Sequence, residues 1–497
     1  MKKQTWLILL APVLLAGCQT MQSHNDTATM VKASGAAGDF KAAITQLDQR
    51  NPSPENKKEL LYNMERGELL RLDRQYGQST DAFLLADEKV SAWEEAAKTD
   101  PQRLLGMVGA SLISERLKEY EGQDYEKVWL TTRIAMNRIG LSDFDKARVD
   151  VKRTHEREAV IAEFRSKETS EAEAEAKAKG AQTTNTELNG YPVETLNDPE
   201  VLSLKNGYQN ALSHYLAGFL YEALNESGLA APGYRKAIEL RPGIAVLEEG
   251  LSGLDSRTSV TWKRKQRQTD VLFLVEYGTA PARVPKAFTI PVPVRSGLRT
   301  VSISYPTIDP SKSPQLSSLT VADKTLPLGS VVDLNLMARR VLKDEMPGMI
   351  LRGMTRAIAK GVLQDELSKN AGMFGSILGS VASVVTEQAD DRIWRMLPER
   401  VYVARAHLPP GEHKVTVDGR DFGTIKIDGQ YAVVPLRFYE SVALVGEIGS
   451  LGKLPEQEPP PPPAAAPVKT KAVSTKSTKK TTQTSAKKPE AQTKTSK

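Results

Sequence analysis

Cysteine is almost missing: Cys18 stands alone in 497 residues. The chain can therefore form no internal disulfide and no multi-cysteine zinc or iron–sulfur site. Aromatics make up 6% of the residues, and the five histidines (His24, His155, His214, His407, His413) are scattered. Gly-x-Ser-x-Gly, His-Glu-x-x-His and phosphate-loop patterns do not occur, so nothing nominates a hydrolase, metalloprotease or nucleotide site. His407 and His413 flank the turn Pro409-Pro410-Gly411 but have no third ligand beside them. No catalytic residue, cofactor or metal is expected. A basic body is missing too. The net charge is +6, yet Lys469 to Lys497 holds nine lysines against one acid, Glu490, and Lys2 and Lys3 add two more charges. What lies between is mildly acidic, which argues against nucleic acid as a partner.

Long hydrophobic runs are scarce as well. The clearest is Trp6 to Leu15, preceded by Lys2 and Lys3. It is too short to span a bilayer and reads as a secretory signal. Leu15-Ala16-Gly17-Cys18 follows, and the lone thiol falls at its end. This tetrapeptide resembles the lipobox of bacterial lipoproteins, which implies removal of residues 1–17 and acylation of Cys18. Several acyl chains exceed what stable membrane anchoring requires. Gln19, in place of Asp, implies transfer to the periplasmic face of the outer membrane.

Residues 18–38 are small and polar and are expected to form a tether, reaching at most about 65 Å if extended. From 39 to 255 apolar residues recur at three- and four-residue spacing, the mark of packed helices. Gly218, Tyr221, Ala230, Tyr234, Ala237 and Pro242 are separated by 3, 9, 4, 3 and 5 residues, the spacing of a tetratricopeptide repeat. There, small residues let two helices approach, aromatics fill the space between neighbours, and proline ends the second helix. Gly67, Leu70, Ser79, Phe83 and Ala86 repeat the first four separations. A degenerate third copy is expected over 128–154, with Gly140, Phe144 and Ala147 at its turn. Residues 166–180 alternate charge with alanine and read as a solvated helix extension.

At Thr269 the texture changes to β-branched and aromatic runs: 271–277, 288–294, 298–305, 401–408, 413–417, 423–427 and 431–439. Asp418-Gly419 and Asp428-Gly429 are hairpin signals. The expectation is an antiparallel sheet or sandwich over 269–450, with the proline-bearing runs 288–294 and 431–439 at edges or bulged. A helical insertion, about 332–397, interrupts it. This insertion contains a basic stripe, Arg352, Arg356 and Lys360, and a Gly-rich apolar stretch, 371–386, expected to be buried against the sheet, with contact to a membrane surface or a partner as the alternative. Residues 455–497 open on a run of prolines and read as a disordered cationic tail. The class is thus α+β and multidomain.

Three stretches carry a more particular resemblance: Glu121-Gly122-x-x-Tyr125-Glu126-Lys127, the run Leu229 to Ala237 (LAAPGYRKA), and Ala389-Asp390-Asp391-Arg392-x-Trp394-x-x-Leu397-Pro398. They are similar to signatures of a little-characterised family of proteobacterial outer-membrane lipoproteins with tetratricopeptide-like repeats. That family's genes tend to neighbour one for a lipoprotein activator of a penicillin-binding peptidoglycan synthase, which implies an envelope role. In the third stretch, Asp390, Asp391 and Arg392 are expected to pair locally while Trp394 anchors the returning chain, a structural latch. The resulting expectation is a lipid-anchored scaffold whose repeat groove docks a protein partner of the envelope. The lysine-rich tail is a candidate for anionic cell-wall polymer or lipid headgroups. Alternatives are a cell-wall-binding or cell-wall-modifying protein working through the β region, and an accessory subunit of an envelope assembly or secretion complex.

Overall fold

The computed structural model describes residues 23–54, 57–102, 104, 118–178, 192–294, 297–346, 348–349 and 389–455. The expected signal peptide, Cys18, the stripe Arg352, Arg356 and Lys360, the stretch 371–386 and the tail beyond Pro455 lie outside the described residues.

The chain is mixed α+β. Its first half forms helices α1 (His24–Ala36), α2 (Phe40–Arg50), α3 (Leu60–Leu72), α4 (Tyr76–Thr99), α5 (Asp124–Gly140), α6 (Phe144–Ala178), α7 (Pro199–Ser203), α8 (Ala211–Ala223), α9 (Ser227–Leu240), α10 (Ala245–Ser252), α11 (Leu254–Thr258) and α12 (Val260–Lys265). Four of the connections share one turn. Between α1 and α2, α3 and α4, α5 and α6, and α8 and α9, a residue with positive φ follows the first helix: Gly38 (80°), Arg74 (60°), Ser142 (59°) and Asn225 (66°). The next N–H reaches back five residues to a helix carbonyl: Asp39 to Ser34 (3.1 Å), Gln75 to Leu70 (2.8 Å), Asp143 to Arg138 (2.8 Å) and Glu226 to Tyr221 (2.7 Å). This left-handed cap satisfies carbonyls that the ending helix leaves open. Nine residues beyond each acceptor stands a small residue, Ala43, Ser79, Ala147 or Ala230, each 0% exposed.

The first of these hairpins overturns an expectation. Residues 24–36 belong to α1, which buries Ala28, Val31 and Gly35, so the tether expected over 18–38 does not extend through them. Gly38 supplies the left-handed turn and Asp39 caps α2 by accepting from the Ala42 N–H at 2.9 Å.

The β elements are β1 (Thr269–Tyr277), β2 (Val284–Val294), β3 (Gly297–Thr307), β4 (Ser318–Val321), β5 (Lys324–Pro327), β6 (Gly329–Asp333), β7 (Arg400–Leu408), β8 (Gly411–Val417), β9 (Arg420–Ile427), β10 (Tyr431–Tyr439), β11 (Val442–Val445) and β12 (Gly449–Leu451). One sheet has the order β11-β10-β1-β7-β6, with β12 also on β10. It is not purely antiparallel, because β10 runs parallel to β1 from Asp270↔Tyr431 to Tyr277↔Phe438. Nor is β10 an edge. Pro435 lies where its outer partner changes, β12 pairing 431–433 and β11 pairing 436–439, so the missing N–H costs no ladder bond. A second sheet has the order β5-β4-β8-β9, and β2 with β3 forms a two-stranded ribbon. Asp418 and Gly419, both with positive φ, make the β8–β9 hairpin turn. Asp428-Gly429 instead carries the chain from one sheet to the other.

β1 is buried on both faces. Val271, Phe273 and Val275 join Leu319, Val321, Val415, Val417, Ile425 and Ile427 of the second sheet in one apolar cluster. Leu272 and Leu274 join the helical residues in another. The helical and β regions, expected as separate domains, therefore share a core and form one compact unit ending at Pro455. The insertion begins as a helix over 334–346 (α13) and its described return is 389–399.

Candidate functional site

The side of β1 that faces the helices carries Asp270 and Glu276 at either end of Leu272 and Leu274. Both acids are buried, and both are met by arginines. Glu276 pairs with Arg133, which also donates to Glu68 at 2.9 Å, while Arg71 and Arg437 stand 3.6 and 3.8 Å away. Burial opposes ionisation of Glu276, but the three guanidiniums outweigh it and hold the carboxyl at about 2. At the other end, Arg405 donates to both oxygens of Asp270 (2.8 and 2.6 Å) and to Glu222 at 2.8 Å; Arg257 also donates to Glu222, at 2.7 Å. Burial again works against the Asp270 carboxylate and Arg405 holds it below the usual range. Each cluster ties a strand to a helix hairpin. Breaking one partner strands a buried charge, so these are fasteners rather than reactive groups.

The segment 389–399 is fastened differently. Glu126 accepts from the Trp394 N–H (2.6 Å), the Gln123 N–H (2.9 Å) and the Tyr120 hydroxyl (2.5 Å). Glu65 accepts from the N–H groups of Arg395 (2.7 Å) and Met396 (3.1 Å). Burial pushes Glu65 up to about 8 and Glu126 up to about 7 against those bonds. The Trp394 ring meets Phe83 edge-on at 5.6 Å. The three charged residues expected to pair with one another divide between two partners. Arg392 pairs with Asp390 through two 2.8 Å bonds, whereas Asp391 turns away and accepts from Ser23 Oγ at 2.8 Å at the start of α1. His24 contacts the Ile393 carbonyl at 2.9 Å, and burial lowers its imidazole to about 4.

The residues expected to pack the repeats lie on α3, α4, α5, α6, α8 and α9 or at their ends. A Cβ on Gly67 would overlap the Phe83 ring, and one on Gly218 would come 2.8 Å from Tyr234 Cδ1. Ala86, Ala230 and Ala237 are fully buried. Tyr221 lies under Arg148, and Tyr234 donates to Glu222 at 2.6 Å. Pro242 is exposed just past α9. Gly140 ends α5, and Phe144 begins α6. A backbone-to-backbone approach uses a residue not singled out as packing, Gly233, whose Cβ would lie 2.8 Å from the His214 carbonyl and 2.9 Å from the Gly218 nitrogen. The helix faces bear on the chain's own β region: Phe40 meets Tyr439, Phe83 meets Trp394 and Phe219 meets Tyr431, at 5.5, 5.6 and 5.8 Å. These three helix side chains are thus engaged within the same chain. Glu65, Glu126, Asp270 and Glu276 escaped notice because an acid in a helix or at a strand end reads as surface charge. Their signal is the company they keep: in α3 and α5 almost every residue is buried.

His155 and His214 stack at 4.5 Å, with Glu158 3.0 Å from His214 Nε2. His413 contacts the Pro409 carbonyl, and His407 lies 3.6 Å from Asp270. Among the described residues no group of three or more His, Cys, Asp or Glu is placed to hold a metal, and no helix is long and apolar enough to cross a membrane. Comparison with protein-family models, curated proteins and solved structures finds no match to this chain.

Proposed function

We propose that this chain is an outer-membrane lipoprotein, anchored through acylated Cys18 on the periplasmic face, and that it serves as a protein-interaction scaffold in cell-envelope assembly, with peptidoglycan synthesis as the setting. The observation that carries this reading is Leu15-Ala16-Gly17-Cys18 after a short apolar signal, with the chain's lone thiol at the acylation position. Ser23, five residues on, is already fixed to Asp391, so the lipid would sit within about 18 Å of the folded body. Such a short connection holds the body close to the membrane.

In this reading the helical region is a tetratricopeptide-like array related to the lipoprotein family its motifs resemble. Support comes from the four turns of one geometry and the small residue at a constant distance beyond each. The two facing sheets, with an apolar cluster between them, support a sandwich. Helix side chains such as Phe40, Phe83 and Phe219 are engaged within the chain, which favours the outer helix faces as the surface offered to the scaffold's partner. The lysine-rich tail is assigned to anionic polymer or headgroups. Crosslinking in native envelopes followed by identification of the attached protein tests the scaffold role. Reproducible recovery of one envelope protein supports it; crosslinks that scatter without a preferred partner contradict it.

A further inference from the structure

Among the described residues, one exposed stretch combines basic and apolar side chains. Between Ser256 and Thr269 the chain has no acid, and Lys263, Arg264, Lys265 and Arg267 follow Trp262. Val260 and Trp262 are 67% and 40% exposed, among the most exposed large apolar side chains described. The Trp262 ring stands edge-on to His407 at 5.9 Å, and Lys324 joins them by donating to the His407 carbonyl at 3.3 Å. The patch is held firmly. Ser259 caps α12 through the Trp262 N–H (3.2 Å), Gln266 donates to the carbonyls of Gln268 and Gln430 (2.9 Å each), and Lys263 bonds Asn225. Arg264, Lys265 and Arg267 remain exposed. Asp270, the next acid along the chain, is already neutralised by Arg405.

Its position narrows the ligand. α12 leads into the first residue of β1, whereas Ser23, Asp391 and the latch gather at the last: Glu399 N–H donates to the Tyr277 carbonyl, and Asn25 to that of Arg283. The two surfaces are separated by the length of β1, about 26 Å. If Cys18 is acylated, as proposed above, the anchoring bilayer lies at the Ser23 end, and this patch lies at the other end of β1.

We propose that Trp262, with Arg264, Lys265 and Arg267, binds an anionic glycan: a sugar polymer bearing carboxylates, as the cell wall supplies. An exposed indole offers a rigid apolar face to the C–H side of a sugar ring. The guanidinium and ammonium groups beside it donate charge-assisted bonds to carboxylates. Choosing glycan over anionic bilayer rests on the anchored reading; the patch itself does not.

The test places photoreactive benzoylphenylalanine at Val260 in the full chain and irradiates intact envelopes. The expected result is an adduct that shifts on digestion with a glycan hydrolase, and whose yield falls at least about fivefold when Arg264→Gln and Lys265→Gln are added without change in thermal midpoint. Adducts to phospholipid or protein alone, no adduct, or a yield indifferent to the double substitution would overturn it. Cys18→Ser in the same cells separates the two readings: release from the membrane with the glycan adduct retained upholds both. Retention in the membrane alongside the adduct sinks only the anchor.

Discussion

Trp394 donates its backbone N–H to Glu126 Oε1 at 2.6 Å, joining positions 268 residues apart. The same carboxylate caps the start of its own helix through Gln123. One buried acid thus ends the loop before α5 and fixes the chain's return from the insertion to β7. Glu65 does the same for the next two residues. The helices and the segment that leads back into the sheet are therefore held by the same two carboxylates.

Removing these contacts should be costly. Trp394→Ala empties a site packed on Phe83 and should lower unfolding free energy by about 3–5 kcal/mol. Glu126→Ala leaves two N–H groups and a hydroxyl unpaired and should cost about 2–3 kcal/mol. Glu126→Gln keeps an acceptor and should cost less. Urea unfolding of the three variants checks the order; wild-type stability in Trp394→Ala would mean the segment is not docked as described.

The latch also sets a pH dependence. Glu65 rises from 4.5 to about 8 and Glu126 to about 7. A carboxyl raised in the folded state binds its proton more tightly there. Its contribution is full below the unfolded value and is lost as pH climbs through the folded one. His24, lowered from 6.5 to about 4, acts oppositely below pH 6.5, so the thermal midpoint should fall between pH 6.5 and pH 8.5, and Glu65→Gln, which cannot ionise, should flatten that fall. Glu276 works in reverse: held at about 2, its contribution is present above 4.5 and fades as pH drops toward 2. A midpoint rising from pH 6.5 to 8.5 would contradict the assignment of Glu65 and Glu126.

Glycine substitutions separate close approach from open space. Gly233→Ala sets a methyl against the backbone of α8 and should cost about 1–3 kcal/mol, since neither helix yields easily. Gly77 has nothing within 4 Å of an added Cβ, so Gly77→Ala should stabilise by about 0.5–1 kcal/mol through helix propensity. Calorimetry of the pair reads both signs. Equal effects would remove the packed hairpin from the account.

Arg133 bridges α5 to β1 and α3. Arg133→Met strands Glu276 and Glu68 and should cost about 3–5 kcal/mol, part of it recovered by adding Glu276→Leu. A double-mutant cycle measures the coupling. Additive losses would mean that the two residues do not interact.

Much of this was legible in the residues, for physical reasons. The hairpin of α8 and α9 stood out because Gly218, Ala230, Tyr234 and Ala237 each have a steric task that only a few residue types perform. The hairpin of α1 and α2 did not, because α1 buries only Ala28, Val31 and Gly35 and so shows little apolar period. Gly38 followed by the Asp39 cap was its readable trace. The strand Thr269–Tyr277 declared itself by a continuous apolar run, as doubly covered strands do. Its parallel neighbour did not, since pairing between β1 and β10 is set by how the sheet closes rather than by any local turn. β4 and β5 joined by Ala322-Asp323 were missed because four-residue strands are shorter than the pattern that identifies them. Trp394 was readable as an anchor. Its acceptor Glu126 was not, since nothing in a glutamate says which N–H it will meet.

The intact mass of the protein recovered from membranes tests the functional reading most directly. The account predicts a chain beginning at Cys18 that carries diacylglycerol and an N-acyl group, and the loss of both in Cys18→Ser. A mature chain with an unmodified Cys18 thiol, or one still carrying residues 1–17, would contradict it.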